Sequence, residues 1–417
     1  MSSWVPYLQL GLLAVTFCLV HAGYKSFEGY KVYRLGIKED QKDILGTFSG
    51  RRGFDVWAKK RIPEPQWDVM VSPALQDELV PFLDKNNISH DVIFPDVGQL
   101  MKAEKESHQT VTARSGSDLF KNYLDFDSIV KYLNSLAKKY KDLVTVDKIG
   151  QTTEGRDLKI IKISGGGGGK NPIILVDAGI HAREWVAPAM ALYIINQLVE
   201  NSTNKELSEK VDWHIIPVLN PDGYQYSRSH DRMWRKTRSK VPNSKCRGVD
   251  PNRNFDIKWG AIGVSKHPCS EIYLGPTAFS EPETVALRDY ALHNKDRVKF
   301  YLTIHSYAGA FIYPWGYTKE SASDAAEMKK LAEAASAANV AAGGSRLEAG
   351  NCHEILDDIA SGGSDDWMKA TLNLTYAYTL EMPGTDFTMP KEKIAKLVVP
   401  IFEAIRVFGQ HVAKQYG

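Results

Sequence analysis

Residues 173–185 read IILVDAGIHAREW, a stretch that joins a strand signal to a histidine and an acid. The run Ile173–Val176 is short, apolar and rich in β-branched side chains, which is typical of a buried strand, and an apolar helical segment begins at Val186. His181 and Glu184 lie between them, three residues apart. Because ligands of α/β proteins bind at the carboxyl ends of the strands, we expect this pair at the functional edge of a sheet.

An imidazole and a carboxylate at this spacing can bind one zinc ion. Catalytic zinc takes three protein ligands and keeps a fourth position for water, so a further ligand must come from elsewhere in the chain. A second strand-like run, Val298–Ile304, is followed directly by His305, which we expect to complete the set. Chance pairs of His and Glu are common in a chain with 11 histidines, and the position of both motifs at strand ends is what favours zinc over a surface pair.

Beyond Ser115, predicted helices alternate with predicted strands, which indicates an α/β fold with a mixed, mostly parallel sheet and helices on both faces. The predicted strands are 173–176, 213–219, 298–304 and 376–382, and the predicted helices include 126–139, 186–199, the alanine-rich segment 324–342 and a closing amphipathic segment 391–413. Residues 30–96 instead predict a small α+β unit, in the order strand, helix, two strands, helix, strand.

The composition excludes several classes of protein. With 417 residues, 43% hydrophobic and 24% charged, the chain resembles an ordinary soluble globular protein of two or three domains. A net charge of +2 argues against a polyanion binder, so no nucleic acid partner is expected. The apolar run Leu8–Val20 before Ala22 predicts a cleaved signal peptide at 1–22, because it is shorter than the about 20 residues that a membrane span needs. We therefore expect a secreted, extracellular protein without a membrane anchor.

Residues 97–114 become polar and end in a Ser/Thr-rich segment with Arg114 before Ser115. Such a segment is either an ordinary linker or the cleavage site of a trypsin-like protease.

Three cysteines remain after removal of the signal peptide. Cys246 and Cys269 enclose a short loop containing Gly and Pro, so we predict a disulfide between them and a free thiol at Cys352.

The metal motifs occur together with further motifs at 231–238, 248–256, 361–367 and 378–381. In this order and spacing the set resembles the secreted zinc metallocarboxypeptidases of the pancreatic A and B type, over essentially the whole chain. The resemblance implies a carboxypeptidase-like catalytic domain at 115–417 that binds one Zn²⁺. It also implies an α+β open-sandwich activation domain, with its connecting segment, at 23–114.

The resemblance also implies a role for each matching residue around the metal. The two histidines and the glutamate named above would bind zinc, and Asp250 would orient His181 through its other ring nitrogen. Glu381 would be the general base for the attacking water. Arg235 would supply a fixed positive charge facing the oxyanion.

A second group of matching residues would recognise the substrate. Asn252 and Arg253 would bind the free C-terminal carboxylate, and Arg183 would contact the substrate backbone upstream. Asp365 matches the position at which B-type enzymes carry the acid that selects C-terminal Lys or Arg. The alternative for Asp365 is an acid at a helix N-terminus, stabilised by the helix dipole.

One position departs from the family pattern. The family usually has a mobile Tyr four residues before the Gly-Gly pair, and this chain has Asp358 there, next to Asp357. The family Tyr serves substrate binding, so we expect activity to survive while substrate affinity and the response to protein inhibitors change. The extra acids predict a stronger preference for basic residues.

We therefore predict a secreted zymogen whose activated form removes C-terminal Lys or Arg. An A-like carboxypeptidase with apolar or relaxed specificity is the alternative within the enzyme class. A non-catalytic secreted binding protein is supported only by Asp358 and opposed by the presence of every implied metal and catalytic residue. The expected partners are peptides or proteins with a free C-terminus, an activating trypsin-like protease and protein carboxypeptidase inhibitors.

Overall fold

The computed structural model describes residues 24–48, 50–61, 64–108, 122–166 and 169–417. The predicted signal peptide and the predicted cleavage site at Arg114–Ser115 lie outside these residues. Within the described ranges, every helix is too short or too polar to span a bilayer.

Residues 24–108, called here the N-terminal unit, form a four-stranded antiparallel sheet with helices. Its elements are β1 (Lys31–Gly36), β2 (Phe54–Lys60), β3 (Gln66–Val71), α1 (Pro73–Lys85), β4 (Ser89–Phe94) and α2 (Val97–His108). The predicted order is confirmed, except that the first predicted helix is a pair of short 3-10 helices. The strand order is β2-β3-β1-β4.

The first part of the polar segment 97–114 is the helix Val97–His108, which the sequence analysis did not predict. Val97 and Met101 lie four residues apart and are both buried, so they share one face of this helix. The acid Glu104 is buried on the same side. The large apolar residues Val97, Leu100 and Met101 all lie in the first half of the helix, and the rest is mostly polar, so the sequence shows the helical period only briefly.

Residues 122–417, called the C-terminal unit, contain an eight-stranded sheet covered by helices. Its elements are α3 (Phe126–Lys139), β5 (Val144–Gln151), β6 (Asp157–Ile163), β7 (Ile173–Ala178), α4 (Val186–Val199), α5 (Glu206–Glu209), β8 (Asp212–Ile216), α6 (Pro221–Ser229), α7 (Pro282–His293), β9 (Val298–Ser306), β10 (Ala310–Ile312), α8 (Ala325–Ala341), β11 (Glu348–Gly350), α9 (Cys352–Leu356), α10 (Ser364–Leu372), β12 (Tyr376–Met382) and α11 (Ile394–Tyr416). The predicted strands and helices are confirmed, and the predictions 126–139 and 186–199 match α3 and α4 at both ends.

The strand order of this sheet is β11-β10-β12-β9-β7-β8-β6-β5. The four central strands, from β12 to β8, are parallel, and antiparallel strands extend the sheet on both sides. All six residues of β7 are buried, and alternate side chains enter two different hydrophobic cores. One core contains residues of α3, α4, α8 and α11, and the other contains residues of α7 and α10. Helices therefore cover both faces, and the carboxyl ends of the central strands remain available for a site.

Short-range signals explain why individual elements begin where they do. In α3, the Asp125 carboxylate caps the helix by accepting a 2.7 Å hydrogen bond from the Ser128 backbone N–H.

The predicted disulfide is confirmed, with Cys246 and Cys269 bonded and their Cα atoms 5.2 Å apart. Cys352 is a free cysteine, as predicted.

Candidate active site

The three predicted zinc ligands meet at the carboxyl ends of β7 and β9. The His181 Nδ1 atom is 2.9 Å from Glu184 Oε1 and 3.1 Å from His305 Nδ1. The ligand atoms of all three side chains lie within 4.8 Å of one another, and all three residues are buried. A tetrahedral zinc ion bound at about 2.0–2.1 Å holds its donors roughly 3.3 Å apart, so this donor set fits zinc.

Asp250 lies behind His181, on the side away from the ligand cluster. Its Oδ1 atom is 3.2 Å from His181 Nε2, so a hydrogen on Nε2 leaves Nδ1 free for a metal. Its Oδ2 atom accepts hydrogen bonds from Arg235 Nε at 3.1 Å and Nη2 at 2.9 Å. Burial opposes ionisation of Asp250, but the positive charge of Arg235 and the hydrogen bond from His181 hold its pKa well below the usual value. Asp250 therefore stays ionised and fixes both side chains.

Glu381 enters the same space from β12, where it is the register partner of His305 on β9. Its Oε2 atom is buried and has no hydrogen-bond partner among the described residues. Burial raises the pKa of Glu381 to about 7, against the lowering effect of His305. A carboxylate with a buried, unpaired oxygen and a pKa near neutral pH is suited to accept and return a proton.

A cavity of about 580 Å³ contains the cluster and extends between the two units. Its wall includes the four residues implied to recognise substrate, which are Arg183, Asn252, Arg253 and Asp365. Asp365 is in the first turn of α10, as the helix-terminus alternative requires, and it also faces the cavity. Its Oδ2 atom accepts a 3.1 Å hydrogen bond from the Thr379 hydroxyl. Burial raises the pKa of Asp365, while backbone N–H groups at the start of the helix oppose that shift.

The N-terminal unit covers this cavity, and β2 contributes Asp55, Trp57 and Lys59 to its wall. The Arg183 Nη1 atom donates to Asp55 Oδ2 at 2.5 Å, and both side chains are buried. The guanidinium implied to contact substrate is therefore occupied by an acid of the N-terminal unit. Asp55 lies 128 positions away in sequence and carries no local motif, so sequence reasoning did not find it.

A second buried ion pair joins the units beside the first. Arg232 donates to the two oxygens of Glu104 at 2.6 and 2.9 Å, and both residues are nearly inaccessible to solvent. Within the basic motif 231–238, only Arg235 could be assigned a role from the sequence. The sequence feature that could have pointed to Glu104 is an acidic residue on the same helical face as the buried apolar residues of α2.

Asp357 and Asp358, at the departure from the family pattern, also contact the N-terminal unit. Lys59 Nζ is 2.9 Å from Asp358 Oδ1, and Lys42 Nζ is 2.8 Å from Asp357 Oδ2. Asp357 ends α9 in the left-handed conformation, with a φ of 53°. The two acids thus bind lysines of the unit that covers the cavity.

Comparison with known proteins agrees with this geometry. Residues 129–403 match the family model described as zinc carboxypeptidase, and residues 33–104 match the one described as carboxypeptidase activation peptide. The chain belongs to the zinc carboxypeptidase family. It is a metallocarboxypeptidase zymogen in which an activation peptide precedes the zinc hydrolase domain.

Relatives of this zinc carboxypeptidase include proteins named carboxypeptidase B and a protein named carboxypeptidase A. Carboxypeptidase B of Astacus astacus is 41% identical over 301 residues, which cover 71% of this chain and 99% of that protein. Carboxypeptidase B of Rattus norvegicus is 32% identical over 417 residues, with coverage of 97% and 99%. The crystal structure of carboxypeptidase A from Helicoverpa armigera superposes with a TM-score of 0.87 and 28% identity, covering 93% of this chain and 98% of that one.

Proposed function

We propose that this zymogen is secreted and that its activated form removes C-terminal Lys or Arg from peptides and proteins. The observation that carries the specificity is Asp365, a buried carboxylate in the cavity wall. A carboxylate in such a position favours a cationic side chain and penalises an apolar one, which would leave the charge unpaired. The name carboxypeptidase B of the relatives from Astacus astacus and Rattus norvegicus supports the same assignment.

The site residues of this chain divide the proposed reaction among them. The two histidines and Glu184 would hold zinc, which when bound would act as a Lewis acid and activate a water. Glu381 accepts a proton from the attacking water and delivers it to the leaving amine. Arg235, held in place by Asp250, faces the negative charge that develops on the carbonyl oxygen.

Recognition of a free C-terminus requires positive charge and hydrogen-bond donors beyond the metal. Asn252 and Arg253 line the cavity next to one another, and Arg253 is anchored by donating to the Gly263 carbonyl at 3.0 Å. A planar guanidinium beside an amide matches the geometry of a carboxylate. We assign these two residues to the substrate carboxylate, and Arg183 to the backbone upstream.

Latency follows from the contact between the units. Asp55 forms an ion pair with Arg183, and β2 forms part of the cavity wall. We place the activation domain and its connecting segment at 23–114 and the catalytic domain at 115–417. A trypsin-like cut between Arg114 and Ser115 would free the N-terminal unit to leave.

The test uses matched peptides that differ only in a C-terminal Lys, Arg or Phe, before and after trypsin and with or without a zinc chelator. We expect chelator-sensitive release of Lys and Arg by the cleaved protein, and only a small residual activity before cleavage. Release of Phe in preference to Lys and Arg would favour the A-like alternative. A cleaved, zinc-loaded protein that releases nothing would favour a binding protein.

A second experiment tests the general base separately. We expect E381Q to lower kcat by at least about 10²-fold, because it removes the proton acceptor, while zinc affinity stays unchanged. An E381Q enzyme with normal kcat would refute the role of Glu381.

A further inference from the structure

The second ring nitrogen of His305 faces a buried hydroxyl and, behind it, a buried carboxylate. The His305 Nε2 atom is 3.2 Å from Thr303 Oγ1. Thr303 Oγ1 is in turn 2.9 Å from Asp177 Oδ1, and the other oxygen of Asp177 accepts a 2.5 Å hydrogen bond from Tyr301. These side chains are all fully buried or nearly so. The sequence analysis gave none of the three partners a role.

Strand geometry brings these groups together. Residues 301, 303 and 305 alternate along β9, so their side chains share one face of the sheet. Asp177 on the parallel strand β7 is the direct register partner of Thr303. These contacts therefore lie within the central sheet, and Thr303 stands two residues before the metal ligand His305 on β9.

The directions of the hydrogen bonds follow from the groups involved. An ionised carboxylate only accepts, so both Tyr301 and Thr303 donate to Asp177. The single hydroxyl proton of Thr303 is then used, and its oxygen can only accept from His305 Nε2. This arrangement places the hydrogen of His305 on Nε2 and leaves the lone pair on Nδ1, which faces the other two ligands.

We propose that Thr303 and Asp177 are positioning residues that fix the tautomer and ring orientation of His305 for zinc. They serve His305 as Asp250 serves His181, with a hydroxyl interposed between imidazole and carboxylate. Hydrogen-bond partners behind a metal-binding histidine orient the ring and raise its basicity, and their loss costs about 10- to 100-fold in metal affinity or activity. The proposal concerns the metal site and does not depend on the preference for Lys or Arg.

The test measures zinc dissociation constants of the full-length protein by competition with a chromophoric chelator. T303V keeps the shape of the side chain and removes the hydroxyl, whereas T303S keeps the hydroxyl. We expect T303V to bind zinc about 10- to 100-fold more weakly and T303S to stay within about threefold of the wild type. D177N should weaken binding as T303V does, because an amide cannot accept from both hydroxyls as the carboxylate does.

The matched control is T379V, which removes a buried hydroxyl from the register partner of Thr303 on β12. Its zinc affinity should equal that of the wild type, which separates the contact with His305 from a general loss of a buried hydroxyl. Thermal unfolding of each zinc-free variant reports folding independently of the metal. Wild-type zinc affinity in T303V and D177N would overturn the proposal, and so would an equal loss in T303V, T303S and T379V.

Discussion

The buried ion pair between Glu104 and Arg232 should hold the zymogen closed, and E104Q tests this directly. The substitution keeps the size of the side chain and removes its charge. In the closed protein Arg232 is 1% exposed and would be left without its carboxylate partner. When the N-terminal unit moves away, water can solvate the guanidinium. The substitution therefore destabilises the closed state relative to the open state.

The expected magnitude follows from the burial. Removing one partner of a buried ion pair costs about 3–5 kcal/mol, because an uncompensated charge stays in the protein. Arg232 keeps hydrogen bonds to the carbonyl oxygens of Arg183 at 2.8 Å and Phe387 at 2.5 Å, which argues for the lower end. At about 1.4 kcal/mol per factor of ten, 3 kcal/mol increases the open fraction roughly 100-fold.

The assay is the hydrolysis of a peptide with a C-terminal Lys by the uncleaved protein. We expect the residual activity of E104Q to exceed that of the wild type by about 100-fold, or to approach the activity of the cleaved enzyme. After complete cleavage both proteins should have the same kcat/KM, because Glu104 belongs to the segment that is removed.

The control variant is E78Q, which breaks the exposed pair between Arg51 and Glu78 within the N-terminal unit. Exposed pairs contribute little to stability, so E78Q should be as latent as the wild type. If folded, uncleaved E104Q were as latent as E78Q, the inference that this ion pair holds the units together would be refuted.

Three further predictions concern specificity and pH. D365N should lower kcat/KM for peptides ending in Lys or Arg by about 30-fold or more, because the loss of a buried charge partner costs about 2–5 kcal/mol, and should leave peptides ending in Phe less affected; equal losses for all three peptides would contradict the pocket assignment. D358Y, which restores the usual family residue, should reduce the ratio of kcat/KM for Lys over Phe peptides, and an unchanged ratio would remove the proposed effect of the extra acid. Burial raises the pKa of Glu271 to about 7, and Asp55 of the N-terminal unit adds to that rise. Because departure of the unit removes Asp55, closing favours the protonated form of Glu271, and the closed state should weaken as pH rises towards about 7. The residual activity of the uncleaved protein, normalised to that of the cleaved enzyme at each pH, should therefore rise over this range, and E271Q should flatten that rise; an unchanged pH profile in E271Q would show that another group is responsible.

Much of the C-terminal unit could be predicted because its signals are local. The apolar run at 173–176 and the periodicity of 126–139 and 186–199 specify strand and helices through contacts within a few residues. His181 and Glu184 are close in the sequence, and His305 follows a second predicted strand. Their positions at strand ends were sufficient to predict that the three side chains meet. The helix α2 was not predicted because its large apolar residues, Val97, Leu100 and Met101, are confined to its first half.

The sequence by itself therefore determined the central strands, the long helices of the C-terminal unit and the residue types that bind zinc. Only the tertiary structure decided that Asp55 occupies Arg183 and that Asp177 stands beside Thr303. These pairs are 128 and 126 positions apart, and their formation depends on how two units dock and on the register of β7 against β9. Neither docking nor register leaves a periodic trace along the chain, because both arise from the packing of surfaces that form only after the elements themselves have folded.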